Sequence, residues 1–176
     1  MNELVLRLGF SLVDSDSSFY SQFGYHFYSS KIDKVFSEIY NEKIHMLNLL
    51  SNSQSRLFDE NKYPVLEYDI YTEEDCEKMI KEVSEYLLNE VLPEWEANPT
   101  LEFLEQKVNE NLRNTPNFSG LVLAKMVNPA NYPKIKAFFQ KASEDWSEWD
   151  KEDLKKVTAF LDKHSQEKLM EIAEKE

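Results

Sequence analysis

Apolar and polar positions follow two different rhythms along this chain. Between residues 19 and 28 the odd positions Phe19, Phe23, Tyr25 and Phe27 put aromatic mass on one face, broken only by Ser21. Tyr20, Gln22, Gly24, His26 and Tyr28 make a mixed face, and a period of two predicts a half-buried strand. The turn-forming run DSDSS at 14–18 lies just ahead of it, so with residues 10–13 a first hairpin is expected. Gly9 stands where a short N-terminal helix would hand over to that hairpin through a left-handed cap. Residues 31–50 fit two patterns. Ile32, Val35, Phe36 and Ile39 have helical spacing, whereas 35–40 and 44–50 read as two strands turning at 41–43. We favour the hairpin, because β-branched and aromatic residues dominate and the flanks already read as strand. A further strand at 65–71 follows Pro64.

After residue 71 the rhythm changes to helical. Thr72 is a good N-cap, with Glu73, Glu74 and Asp75 at the positive end of the helix dipole and Met79, Ile80, Val83, Leu87 and Val91 as an apolar stripe. Pro93 is expected to close this helix. A helix from Thr100 carries Leu101, Leu104 and Val108 inward. A turn at 114–117, a short apolar segment at 121–127 and a helix at about 132–143 follow. Asp150 should cap a last helix with Leu154, Val157, Phe160 and Leu161 inward, its Glu- and Lys-rich end fraying from Gln166.

The pattern therefore predicts an α+β fold: an antiparallel sheet of four to five strands over about residues 10–71, covered by helices and followed by a C-terminal helical extension. In domain terms, 1–113 is an α+β domain and 114–176 a helical extension packed on it, or the two form one continuous domain. Composition agrees with a change near residue 72, since residues 1–71 hold 13 of the 23 aromatic residues.

Charge narrows the partners. With 20 Lys+Arg against 33 Asp+Glu the net charge is −13 over 176 residues, which argues against nucleic acid and anionic membrane as ligands. No apolar run approaches the roughly 18 residues of a membrane span. The N-terminal MNELVLRLGF lacks the basic flank of a signal peptide, so a cytoplasmic protein is expected. At this length roughly 70% of the unfolded chain's surface can be buried, so the core needs no staple. The single cysteine, Cys76, excludes an intrachain disulfide and a Cys-rich zinc site.

Several side chains invite a chemical reading. His26 and His45 would lie on neighbouring strands, with Glu67 or Asp69 in reach, and two His with a carboxylate on a sheet can ligate a metal. No HxH, HxxxH or HExxH spacing supports it, so the plainer reading is polar residues completing a face and no metal or cofactor is expected. His164, between Lys163 and Ser165, suits a helix C-terminus. Cys76 has four acidic neighbours, Glu73, Glu74, Asp75 and Glu77, and reads as an ordinary reduced thiol. The acidic cluster Glu144, Asp145, Glu148, Asp150, Glu152 and Asp153 fails as a calcium loop, because Trp149 falls where the third ligand belongs. Its tryptophans Trp146 and Trp149 either pack under the last helix or form an aromatic patch rimmed by acid. In the second case Trp146, Trp149, Glu148 and Asp150 are the candidate binding residues. The three glycines, Gly9, Gly24 and Gly120, are too far apart for a P-loop or a dinucleotide fingerprint, and no Ser stands in a GxSxG context.

Three segments together carry a resemblance: Leu8, Gly9 and Phe10 near the start, the aromatic run SSFYSQF, and NEVLPEWEANPTLEFLE at 89–105 with its Leu92, Pro93, Trp95 step before Thr100. Over about residues 4–110 the chain resembles an uncharacterised bacterial domain family of unknown function. The resemblance implies a small α+β protein with an antiparallel sheet followed by helices, and it assigns no catalytic residue. Fewer residues precede the LGF here than that pattern expects, and 118–165 lie outside it.

The function expected from these readings is a non-catalytic acidic protein-binding module with a basic protein partner, an inhibitor or immunity-type protein being its sharper form. The alternatives are a structural homo-oligomer subunit or a hydrolase without a recognisable motif that uses His26, His45 and a carboxylate.

Overall fold

The computed structural model of the chain describes residues 4–15, 18–44, 50–52, 67–97, 100–110, 112 and 114–175. Helix dominates, and every buried apolar residue among those whose burial is described lies in a helix or, for Phe118, at a helix N-cap. This overturns the expected α+β architecture. The chain is mostly helical, and the core formed by the residues of described burial is helix packed on helix.

The residues that decide this are 30–40. They form helix α1 (Ser30–Tyr40), which buries Ile32, Val35, Phe36 and Ile39. The 3.6-residue spacing outweighed the β propensity of Val, Ile, Phe and Tyr, because a stripe at i, i+3, i+4 and i+7 can be buried along one helix face but would be split between the two faces of a strand. Asn41, expected in a hairpin turn, instead ends α1 in the left-handed region at φ 54°, its N–H bonded to the Ser37 carbonyl. The second arm of that hairpin falls largely outside the described residues.

Contacts divide the chain into two compact units. The first comprises Met1–Val5, Tyr28–Leu49 and Thr100–Glu176. It contains α1 and the helices α4 (Leu101–Glu110), α5 (Ser119–Val127), α6 (Tyr132–Ala142), α7 (Glu148–Lys163) and α8 (Gln166–Glu174). Helix α5 is its axis. Leu121, Val122, Leu123, Ala124 and Met126 are all fully buried, and α1, α4, α6, α7 and α8 all pack against it. A helix apolar on every side is stable only when neighbours surround it. Helix α8 corrects a second expectation. It does not fray, because Leu169, Ile172 and Ala173 are buried and the helix packs on α1, where Lys34 Nζ donates to the Ala173 carbonyl at 3.2 Å.

The second unit comprises Leu6–Phe27 and Leu50–Pro99. Its strands are β1 (Leu4–Ser15), which begins in the first unit, β2 (Ser18–Ser29), which ends in it, β3 (Leu50–Asn52) and β4 (Glu67–Ile70). β1 runs through Gly9, where the sequence suggested the end of a helix. β2 neighbours β1 and pairs antiparallel with β3, His26 opposite Ser51, and with β4, Tyr20 opposite Asp69. Helix α2 (Glu73–Tyr86) packs on β4. Thr72 caps it in a reciprocal box: Asp75 N–H donates to Thr72 Oγ1 at 3.2 Å, and the Asp75 carboxylate accepts from Thr72 N–H at 3.0 Å.

Pro93 does not end the helix. A π turn at Leu87–Val91 leads straight into α3 (Leu92–Ala97). Proline lacks the N–H that the carbonyl four residues back would use, and a wider turn just before it re-routes the bonding. Among the described residues no helix is long and apolar enough to cross a membrane.

Candidate functional site

The start of α7 gathers the residues singled out by composition. Helix α6 ends in a single 3-10 turn, Ser143–Asp145, and the chain then extends through Trp146 and Ser147. Ser147 is the N-cap: its Oγ accepts from Asp150 N–H at 3.2 Å and donates to Asp150 Oδ2 at 2.6 Å. Asp150, the residue expected to cap, is therefore the third helical residue answering the cap.

The two tryptophans face different ways. Trp146 is half-buried, its ring 6.0 Å from Phe118 and 6.1 Å from Phe139, which themselves meet edge-on at 5.9 Å. Its Nε1 donates to Asn114 Oδ1 at 2.6 Å. An indole fixed both by ring packing and by its N–H anchors the point where α7 begins. Trp149, three residues on, is 72% exposed and has no ring or cation contact among the described residues. Tryptophan is highly buried on average, so an open indole is the informative case.

Acid surrounds it. Glu148 is exposed and bonds Lys151 at 3.0 Å. Asp153 is half-buried near Tyr40, and burial together with that carboxylate pushes the Tyr40 phenol up to about 12. Glu144, Asp145 and Glu152 are exposed and have no hydrogen bond or ion pair among the described residues. Lys156 of the same helix lies over the Tyr40 ring at 4.7 Å. Of the four candidate binding residues, Trp149 and Glu148 face solvent, while Trp146 and Asp150 hold the turn that presents them.

The histidine constellation is described only in part. The strand register places Glu67 opposite Gln22, four residues along β2 from His26, or about 13 Å at the strand rise. His45 lies outside the described residues. Among the described residues no group of three His, Cys, Asp or Glu side chains could hold a metal ion. Cys76 is half-buried and reduced in the first turns of α2. His164 is the C-cap of α7, its Nδ1 2.8 Å from the Phe160 carbonyl and its ring stacked on Phe160 at 4.2 Å.

Two polar clusters escaped the sequence reading. Glu105, buried in α4, accepts from the side-chain amides of Asn109 (2.9 Å), Asn128 (3.1 Å) and Asn131 (2.9 Å). This ties α4 to the turn between α5 and α6 and satisfies a carboxylate that burial would otherwise penalise. Asn109 Nδ2 also donates to the Gly120 carbonyl at 3.1 Å, and a Cβ on Gly120 would collide with Asn109 Oδ1, so a larger residue there would displace this amide. In the second cluster Asp162 accepts from Tyr132 Oη at 3.0 Å and Lys136 Nζ at 2.6 Å. The Lys136 contact leads in holding the Asp162 carboxyl below its ordinary value, while burial and the Asp162 hydrogen bond push Tyr132 well above its own. No local pattern announces either cluster, because the partners stand 23, 26 or 30 residues apart.

An open groove of about 470 Å³ between the C-terminal ends of α1 and α8 is lined by Lys34, Glu38, Lys43, Ile172 and Lys175 among others. Its lysines already serve the fold: Lys34 caps α8, and Lys175 pairs with Glu38 at 3.7 Å. Compared with protein-family models, with curated proteins and with solved structures, the chain finds no match.

Proposed function

We propose that this chain is a non-catalytic, acidic protein-binding module whose partner is a basic protein. The carrying observation is the open indole of Trp149 beside carboxylates that have no partner among the described residues, on a chain of net charge −13. Apolar surface offered inside a field of one sign favours a partner of the opposite sign, steers its approach and makes the encounter sensitive to salt. The resemblance over residues 4–110 to an uncharacterised bacterial family belongs to the same proposal, and so does a cytoplasmic setting. Neither assigns a role to any residue.

The test is affinity capture from source-cell lysate with tagged wild type and Trp149→Ala, at low and high salt. The expected result is one stoichiometric basic protein, retained by wild type at low salt, released at high salt and lost from the variant. Trp149 makes little contact with the fold, so the variant should melt with wild type. Self-association with no second species would turn the reading to a structural subunit. A partnerless monomer would overturn it.

A further inference from the structure

The chemistry at the start of α7 narrows the partner to one side chain. We infer that the Trp149 surface receives an arginine from a basic, extended segment of the partner, the guanidinium lying on the indole face with its edge turned to the carboxylate of Glu152. This rests on the binding-module reading and specifies its site.

Three observations lead there. First, Trp149 is unpartnered on an ordered base: Trp146 is fixed by Asn114 and two phenylalanines, and Ser147 and Asp150 close the cap, so the indole stands on a defined helical turn. Second, the nearby carboxylates divide into used and unused. Glu148 is taken by Lys151 and Asp150 by Ser147, while Asp153 is half-buried near Tyr40. Glu152 sits one turn along from Trp149, and Glu144 and Asp145 lie in the turn just before it; these three are free among the described residues. Third, two cations of α7 are occupied, Lys151 by Glu148 and Lys156 by the Tyr40 ring, and Lys155 stands six residues on, a third of a turn round the helix from Trp149.

A planar cation uses both halves of such a site at once, its face on the ring and its edge N–H groups on the carboxylate. Arginine does this and lysine does not, since an ammonium is a compact, strongly hydrated point charge. One exposed indole with one free carboxylate a turn away matches a single side chain, which a basic extended segment can present.

The experiment titrates the full chain with two matched synthetic peptides, one carrying three arginines between serines and glycines, the other three lysines. Calorimetry reads affinity, and the indole N–H signals in a nitrogen–proton correlation spectrum read location. The expected result is tighter binding of the arginine peptide by about fivefold, with the Trp149 indole signal shifting and that of Trp146 still. Trp149→Ala should remove the preference and leave a weak, salt-sensitive attraction common to both peptides. Glu152→Gln should lower arginine-peptide affinity about threefold with unchanged melting. Equal affinities in wild type, or a preference that survives Trp149→Ala, would overturn the site. A lysate partner held equally by wild type and Trp149→Ala would also overturn it, while the binding-module reading could still stand at another surface. A Trp149-dependent arginine preference with no partner in lysate would support the site and count against the module reading.

Discussion

At the scale of single residues, the most consequential side chain for stability is Glu105. Its two oxygens take three amide donors, so removing the buried carboxylate leaves the half-buried amides of Asn109 and Asn131 and the exposed one of Asn128 without their acceptor. An unsatisfied buried group costs roughly 1–3 kcal/mol, and water can reach the more open of these amides, so Glu105→Ala should lose about 2 kcal/mol in chemical denaturation. Glu105→Gln keeps one carbonyl acceptor and should lose less. Tyr40 supplies a pH signature. Burial and the Asp153 carboxylate hold its phenol protonated up to about 12, against 10.0 for a free phenol. The folded value lies above the unfolded one, so the contribution is complete below pH 10 and is lost as pH rises through about 12. Ultraviolet titration should show phenols that ionise late, and Tyr40→Phe should remove one of them and reduce the loss of stability between those limits. Trp149 should be neutral to stability, which makes it a clean probe of binding.

Among the elements, α2 shows how far local chemistry reaches. Thr72 at the N-cap with acid behind it was legible without a fold, and the reciprocal bonds with Asp75 bear it out. Thr72→Ala should cost about 1 kcal/mol in denaturant melts, and Thr72→Ser should restore most of it. Elsewhere local signals competed. In 30–40 the residue types favoured strand and their spacing favoured helix, and spacing prevailed because α1 had α5, α7 and α8 to bury its stripe. In α8 the Glu and Lys content suggested fraying, yet Leu169, Ile172 and Ala173 repeat at i, i+3 and i+4, the signal that should have ranked first. Pro93 looked like a stop, and the π turn before it let the helix pass.

For the molecule as a whole, the charge of −13 is the governing quantity. An excess of 33 acidic over 20 basic groups repels itself in the compact state, while ion pairs such as Lys136–Asp162 offset only part of it. Moderate sodium chloride should therefore raise the melting temperature by a few degrees, read by calorimetry at neutral pH. A fall with salt would mean that paired charges outweigh the repulsion. The same field that costs stability draws a basic partner to Trp149, so salt should strengthen the fold and weaken the complex together.

Sequence by itself determined the helices that carry a cap and a periodic stripe, among them α2 and α4, the acidic excess, and the absence of phosphate-loop and nucleophile-elbow motifs. These depend on residues within one or two turns of each other or on composition, and both are local. Only the tertiary structure decided that α1 is a helix, that the Leu121 segment is the buried axis of a unit, that Trp146 turns in while Trp149 turns out, and that Glu105 meets Asn128 and Asn131. Each of those outcomes rests on which surfaces find a neighbour to exclude water. That is a property of segments far apart in the chain, and no local pattern encodes it.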